Sequence, residues 1–156
     1  MIRICLFLLG LLSASASTLA AGLASVSSDE LQSLLDKGAV VVDVRTPDEW
    51  KATGVIPGSH PLTFFDSSGQ YDKAAWLQSL RPLMGRTDQP IVLVCRSGNR
   101  SAIVGSFLVA EAGFTQVYHL EKGIRAWSAE GHPLSTPCAS ALECASASRA
   151  MSAAPP

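Results

Sequence analysis

Histidine is scarce in this sequence: three in 156 residues, at positions 60, 119 and 132, with no ligand spacing among them. That excludes a histidine-built metal centre, and neither a metal nor another cofactor is expected. Neither sign of charge dominates. Twelve basic residues stand against thirteen acidic ones, a formal net charge of −1. Nothing here draws the chain to nucleic acid or to an anionic membrane surface. Aromatic residues are few, at 6%. The apolar run Ile4–Leu12 is too short to span a bilayer as a helix, so no stable membrane association is expected. The length suits one domain with a real core.

That short run has a different meaning. Arg3 precedes it, and the small, weakly polar stretch Ser13–Ala21 follows it. This is the order of a secretory signal. Thr18 and Ala20 place small residues before a cleavage point after Ala20, so residues 1–20 read as a signal peptide and the periplasm as the destination. Cysteine is also sparing, with four in the chain. Cys5 leaves with the signal. Cys138 and Cys144 lie in an Ala/Ser/Pro-rich tail, residues 136–156, and an exported compartment favours a disulfide between them. That leaves Cys95.

Cys95 ends the apolar, mostly β-branched run Ile91-Val92-Leu93-Val94, which reads as a buried parallel strand entered from Pro90. Polarity then switches abruptly through Arg96, Ser97, Gly98, Asn99 and Arg100. Helical spacing resumes at Ser101 and runs on past Phe107 and Leu108. A tight loop entering a helix turns its backbone N–H groups inward as an anion site. A thiol at its start is favoured in the thiolate form by those amides, the helix N-terminus and two arginines. The loop carries no acid. A thiolate nucleophile beside a site for a small anion is the chemistry this pattern supports.

The rest alternates strand and helix. Ala24–Val26 reads as a strand, and Ser27 with Glu30 has capping-box spacing before a helix bearing Leu31, Leu34 and Leu35. Ala39–Val44 is a second buried strand, Asp48–Ala52 a short helix, and His60–Leu62 a short strand. Asp72–Leu80 reads as a helix with Ala75, Trp76 and Leu80 inward. Val117–Leu120 is a strand and Ile124–Glu130 a helix. Such alternation argues for an α/β fold on a parallel sheet, with the site beyond the strands' carboxyl ends. The three histidines are expected at the surface or at strand ends. Trp50, Trp76 and Trp127 are expected in the core.

Cys95-Arg96-Ser97-Gly98-Asn99-Arg100-Ser101 resembles the active-site loop of the rhodanese family of sulfurtransferases. Asp43-Val44-Arg45-Thr46-Pro47-Asp48-Glu49-Trp50, with Gly54-Val55-Ile56-Pro57-Gly58, resembles that family's first signature. Gly123-Ile124-Arg125-Ala126-Trp127 resembles its closing helix. In order and spacing these cover a domain over residues 24–135. Val55 stands where the family often has histidine, and Lys122 where it often has a second glycine. The resemblance implies a three-layer α/β/α fold around a central five-stranded, mainly parallel sheet. It implies a Cys95 persulfide, and Arg96, Ser97, Gly98, Asn99, Arg100 and Ser101 binding the substrate. The expected partners are a small anionic sulfur donor such as thiosulfate and a thiol or cyanide acceptor, which includes a periplasmic thiol protein.

Asp43, Arg45 and Glu49 are expected to act structurally, by pairing at a strand end and a first helical turn. Arg100 has two readings: it faces the substrate, or it turns back to a carboxylate such as Asp43 or Glu49. Two other functions compete. A cysteine phosphatase or arsenate reductase places five residues between cysteine and arginine, but only four separate Cys95 from Arg100. A non-catalytic binding module of the same fold has no use for an intact thiol in this loop.

Overall fold

A computed structural model of the chain describes residues 22–137. The expected signal segment and the Cys138–Cys144 pair lie outside the described residues. The elements, in order, are β1 (Gly22–Val26), α1 (Ser28–Asp36), β2 (Val40–Asp43), α2 (Pro47–Thr53), β3 (His60–Pro61), α3 (Lys73–Leu80), β4 (Ile91–Val94), α4 (Asn99–Ala110), β5 (Gln116–Leu120) and α5 (Gly123–Ala129). The sheet runs β1-β5-β4-β2-β3. Every pairing in it is parallel, so the sheet is wholly and not merely mainly parallel.

Strand alternation splits the core in two. Val40, Val42, Ile91 and Leu93 point to one face, where Trp76 and Leu80 of α3 and Val104, Phe107 and Leu108 of α4 cover them. Val41, Val92 and Val94 point to the other, against Leu31 of α1 and Ile124 and Trp127 of α5. The result is helix, sheet, helix. β4 is buried on both faces, which is why it reads as an unbroken apolar run.

Local signals set the helix starts. Ser27 and Glu30 form a reciprocal capping box at α1, and Thr46 and Glu49 form another at α2 with Pro47 in the first turn. Three expectations fail here, those for Ala75, His119 and Trp50. Ala75 is exposed, while Leu77 packs on the core with Trp76 and Leu80. The face of α3 is set by the Trp76–Leu80 pair, one helical turn apart, and Ala75 falls outside it. His119 is buried within β5, its Nε2 3.0 Å from the Ser25 hydroxyl of β1, and burial lowers its pKa. Trp76 and Trp127 are core residues that donate their indole N–H groups to the carbonyls of Leu62 and Pro133. Trp50 is only half-buried.

The site's position follows from the strand order. From β2 the chain moves outward to β3; from the adjacent β4 it moves the opposite way to β5. Those two neighbouring carboxyl ends are a topological switch point, where open parallel sheets hold ligands. Cys95 leaves one of them and Arg45 the other.

Candidate active site

Cys95 follows directly on β4, with its side chain at the edge of the α4-side core and only 1% of the residue exposed. The chain then turns back over its sulfur. The Gly98 N–H donates to Sγ at 3.2 Å, and the Ser101 hydroxyl lies 3.4 Å from it. Ser101 Oγ also donates to the Gly98 carbonyl at 2.8 Å. One hydroxyl therefore touches both the sulfur and the loop backbone. It accepts from a protonated thiol while donating to the carbonyl, or rotates to donate to a thiolate.

Gly98 makes this turn possible. It sits at φ 95°, in the left-handed region, and a Cβ there would overlap the Glu121 carbonyl oxygen on the β5–α5 turn. Gly123, at φ 64°, has the matching constraint, since a Cβ there would overlap the Arg96–Ser97 peptide. The two glycines let the turn and the Cys95 loop touch backbone to backbone. Across that contact the Ile124 N–H donates to the Cys95 carbonyl at 2.8 Å and the Arg125 N–H to the Arg96 carbonyl at 3.3 Å. The start of α5 thus holds the loop from behind. The sequence reading missed this support. Its signal was the glycine opening the final helical segment, a residue type that otherwise weakens a helix.

The expected helix start at Ser101 is two residues late. α4 begins at Asn99, with Gly98 as its cap. This places Arg100 in the first helical turn, facing outward. Its guanidinium meets Glu49 in a two-pronged pair, Nη1 to Oε2 at 2.8 Å and Nη2 to Oε1 at 2.6 Å. Of the two readings of Arg100, the geometry shows the pairing with a carboxylate, and the partner is Glu49. Arg96 is exposed and, among the described residues, forms no ion pair. It remains the loop's free cation. Ser97 and Asn99 are exposed beside it.

Asp43 and Arg45 are both buried at the end of β2. Arg45 Nε and Nη2 donate to the Asp43 carboxylate at 2.9 and 2.6 Å. Its remaining donors reach Thr53 Oγ1 at 2.6 Å and the Gly54 carbonyl at 2.7 Å. Every prong is used, which is what makes a buried pair tolerable. Arg45 fastens the far end of α2 to the sheet; Glu49 caps its near end and ties it to α4. All three are paired, at the strand end and in the first helical turn.

The Arg100 hydrogen bond holds the Glu49 carboxyl well below its ordinary 4.5, at about 2. A depressed folded-state value adds stability above 4.5 that drains away as pH falls toward 2. Glu49→Gln is expected to melt below the parent at neutral pH, modestly because the pair is partly solvent-screened. The gap should close as the pH drops through that window. A gap in melting temperature that stays constant with pH would show that the pair does not form.

The site thus consists of a buried cysteine beneath a tight turn, at the switch point of a parallel three-layer sheet. The chain belongs to the rhodanese-like family: residues 27–130 match the Rhodanese-like domain. It is similar to thiosulfate sulfurtransferase GlpE of Pseudomonas fluorescens, 34% identical over 115 residues that span 69% of this chain and 94% of that one. Among solved structures it is similar to Rv0390 of M. tuberculosis, with TM-score 0.60 and 26% identity over 72% of this chain and 97% of that one. It also resembles a Rhodopseudomonas palustris protein of unknown function described as a possible tyrosine phosphatase. There the TM-score is 0.54 and the identity 27%, over 72% of this chain and 85% of the other. No helix among the described residues is long and apolar enough to cross a membrane, and none of their side chains cluster as a metal site.

Proposed function

We propose that this protein is a sulfurtransferase that moves the outer sulfur of thiosulfate, through a persulfide on Cys95, to cyanide or a thiol. The observation that carries the proposal is the turn over Cys95 Sγ, with the Gly98 amide at 3.2 Å and the Ser101 hydroxyl at 3.4 Å. The Cys95 thiolate attacks the outer sulfur of thiosulfate. The sulfur–sulfur bond breaks, its electron pair leaves with sulfite, and Cys95 keeps the transferred sulfur as a terminal persulfide anion. Arg96 offers forked donors to the sulfonate oxygens as that charge builds. The loop amides then stabilise the persulfide anion. Cyanide attacks the terminal sulfur, thiocyanate departs, and the thiolate is restored. The named activity of GlpE supports this reading.

A phosphatase needs an arginine inside the loop to clamp a tetrahedral dianion. Arg100, the one residue near that place, is committed to Glu49. The test is a paired assay on one preparation. Thiosulfate and cyanide should give thiocyanate, while a small aryl phosphate should go unhydrolysed. Efficient phosphate hydrolysis without thiocyanate formation would overturn the proposal.

A further inference from the structure

His119 is a buried ionisable group for which the sulfur chemistry has no use. Its side chain shares the α4 face of the sheet with Val117, and in the strand register it lies between Leu93 of β4 and Ser25 of β1. Nε2 meets the Ser25 hydroxyl at 3.0 Å, while Nδ1 is buried and has no hydrogen-bond partner among the described residues. A neutral ring can accept from that hydroxyl or donate to it. A charged ring carries a proton on both nitrogens, and the one on Nδ1 has no acceptor. Its neighbours supply little counter-charge. β1 and β4 carry no charged residue. α4 carries only Arg100, paired with Glu49, and α5 only Arg125, on the opposite face. Cys95, one residue past β4, faces the same side as His119, with its sulfur against Gly98 and Ser101. Glu121, just past β5, and the Leu120 backbone favour the charge, but burial outweighs both and holds the pKa below 6.5.

A charged ring escapes toward the sheet edge. β1 is that edge, five residues long with three exposed, so little holds it in place. Its last residue, Val26, accepts from the Glu121 N–H at 3.0 Å, and the Glu121 carbonyl oxygen is the atom against which Gly98 packs. Glu121 therefore joins the edge strand to the turn over Cys95. We infer that His119 is a proton-sensitive positioning residue for the Cys95 loop. Neutral, it holds β1 on β5 and the β5–α5 turn behind Gly98. Charged, it releases both and slackens the turn around Sγ. The inference uses the sulfurtransferase reading for its activity readout alone. The unfolded chain takes up the proton first, so stability present above 6.5 is lost as the pH falls below that value. The Glu49–Arg100 pair titrates in a separate window, below 4.5.

The experiment compares the parent with His119→Gln, whose amide keeps a polar atom for Ser25 and takes up no proton. His119→Leu, apolar and equally unable to take a proton, serves the same comparison if the glutamine variant does not fold. Melting temperature and the rate at which Cys95 gains sulfur from thiosulfate, read by intact mass, are measured near neutral pH and about one unit below 6.5. Over that interval the parent should lose about 5 °C more than the variant. Its rate of sulfur gain should fall roughly three- to ten-fold relative to the variant, and both losses should reverse at neutral pH. Cys95 and His60, whose pKa burial also lowers, are common to all the proteins and cancel from the comparison. Parallel losses in parent and variant overturn the inference. So does a parent that loses stability selectively while its sulfur gain keeps pace with the variant, since the charge then does not reach the loop. A parent that gains no sulfur at neutral pH contradicts the sulfurtransferase reading instead, and the rate of Cys95 alkylation by iodoacetamide then takes the place of sulfur gain.

Discussion

Cys95→Ser is expected to abolish sulfur transfer from thiosulfate, with a loss in kcat of roughly a thousand-fold or more. A serine hydroxyl is not ionised at neutral pH and cannot hold a sulfane sulfur as a thiolate does. The same change should leave the fold in place. The Gly98 N–H that donates to Sγ can donate to a serine oxygen, and Ser101 can pair with it as well. The cost in stability is about 1 kcal/mol, set by placing a hydroxyl against the core edge. Thiocyanate formation and a urea titration on the same sample separate the two effects. Residual turnover within a few-fold of the parent would remove Cys95 from the chemistry.

Gly98→Ala should be the most damaging single methyl group in the domain. Two costs add at one atom. The residue keeps φ 95° only by paying the left-handed penalty, roughly 1–2 kcal/mol. The new Cβ also meets the Glu121 carbonyl oxygen, a backbone atom that cannot rotate aside. Overpacking of this kind costs roughly 1–3 kcal/mol more. The sum corresponds to a fall in melting temperature of about 10 °C in a domain this size. Activity should fall with it, since Gly98 supplies the amide over the sulfur. Gly113→Ala is the matched control: φ is positive there too, at 76°, but nothing lies within 4 Å of its Cβ. It should cost only the backbone share and leave turnover alone. Equal losses in the two variants would mean that the loop does not touch the β5–α5 turn.

What could be read from the sequence was local. The polarity switch at Cys95 marks both the end of β4 and the start of the turn, because a strand buried on both faces is filled mainly by apolar residues. The Ser27–Glu30 box lies within four consecutive residues, so spacing alone reveals it, while the Thr46–Glu49 box, of the same spacing, was missed. What could not be read needed contacts distant in sequence. The direction of Arg100 depends on where α4 starts, on the left-handed Gly98, and on a carboxylate 51 residues away. The hold of α5 on the Cys95 loop depends on two glycines brought face to face by the sheet order. His119 looked peripheral until pairing of β1 with β5 covered it.

Persulfide formation on Cys95 is the claim from which the rest follows, and intact-mass spectrometry reads it directly. The protein treated with thiosulfate and freed of excess reagent should gain the mass of one sulfur atom. Peptide mapping should place that sulfur on Cys95, and cyanide should remove it with release of thiocyanate. No gain in mass, or a sulfur found on Cys138 or Cys144 while Cys95 stays unmodified, would contradict the account.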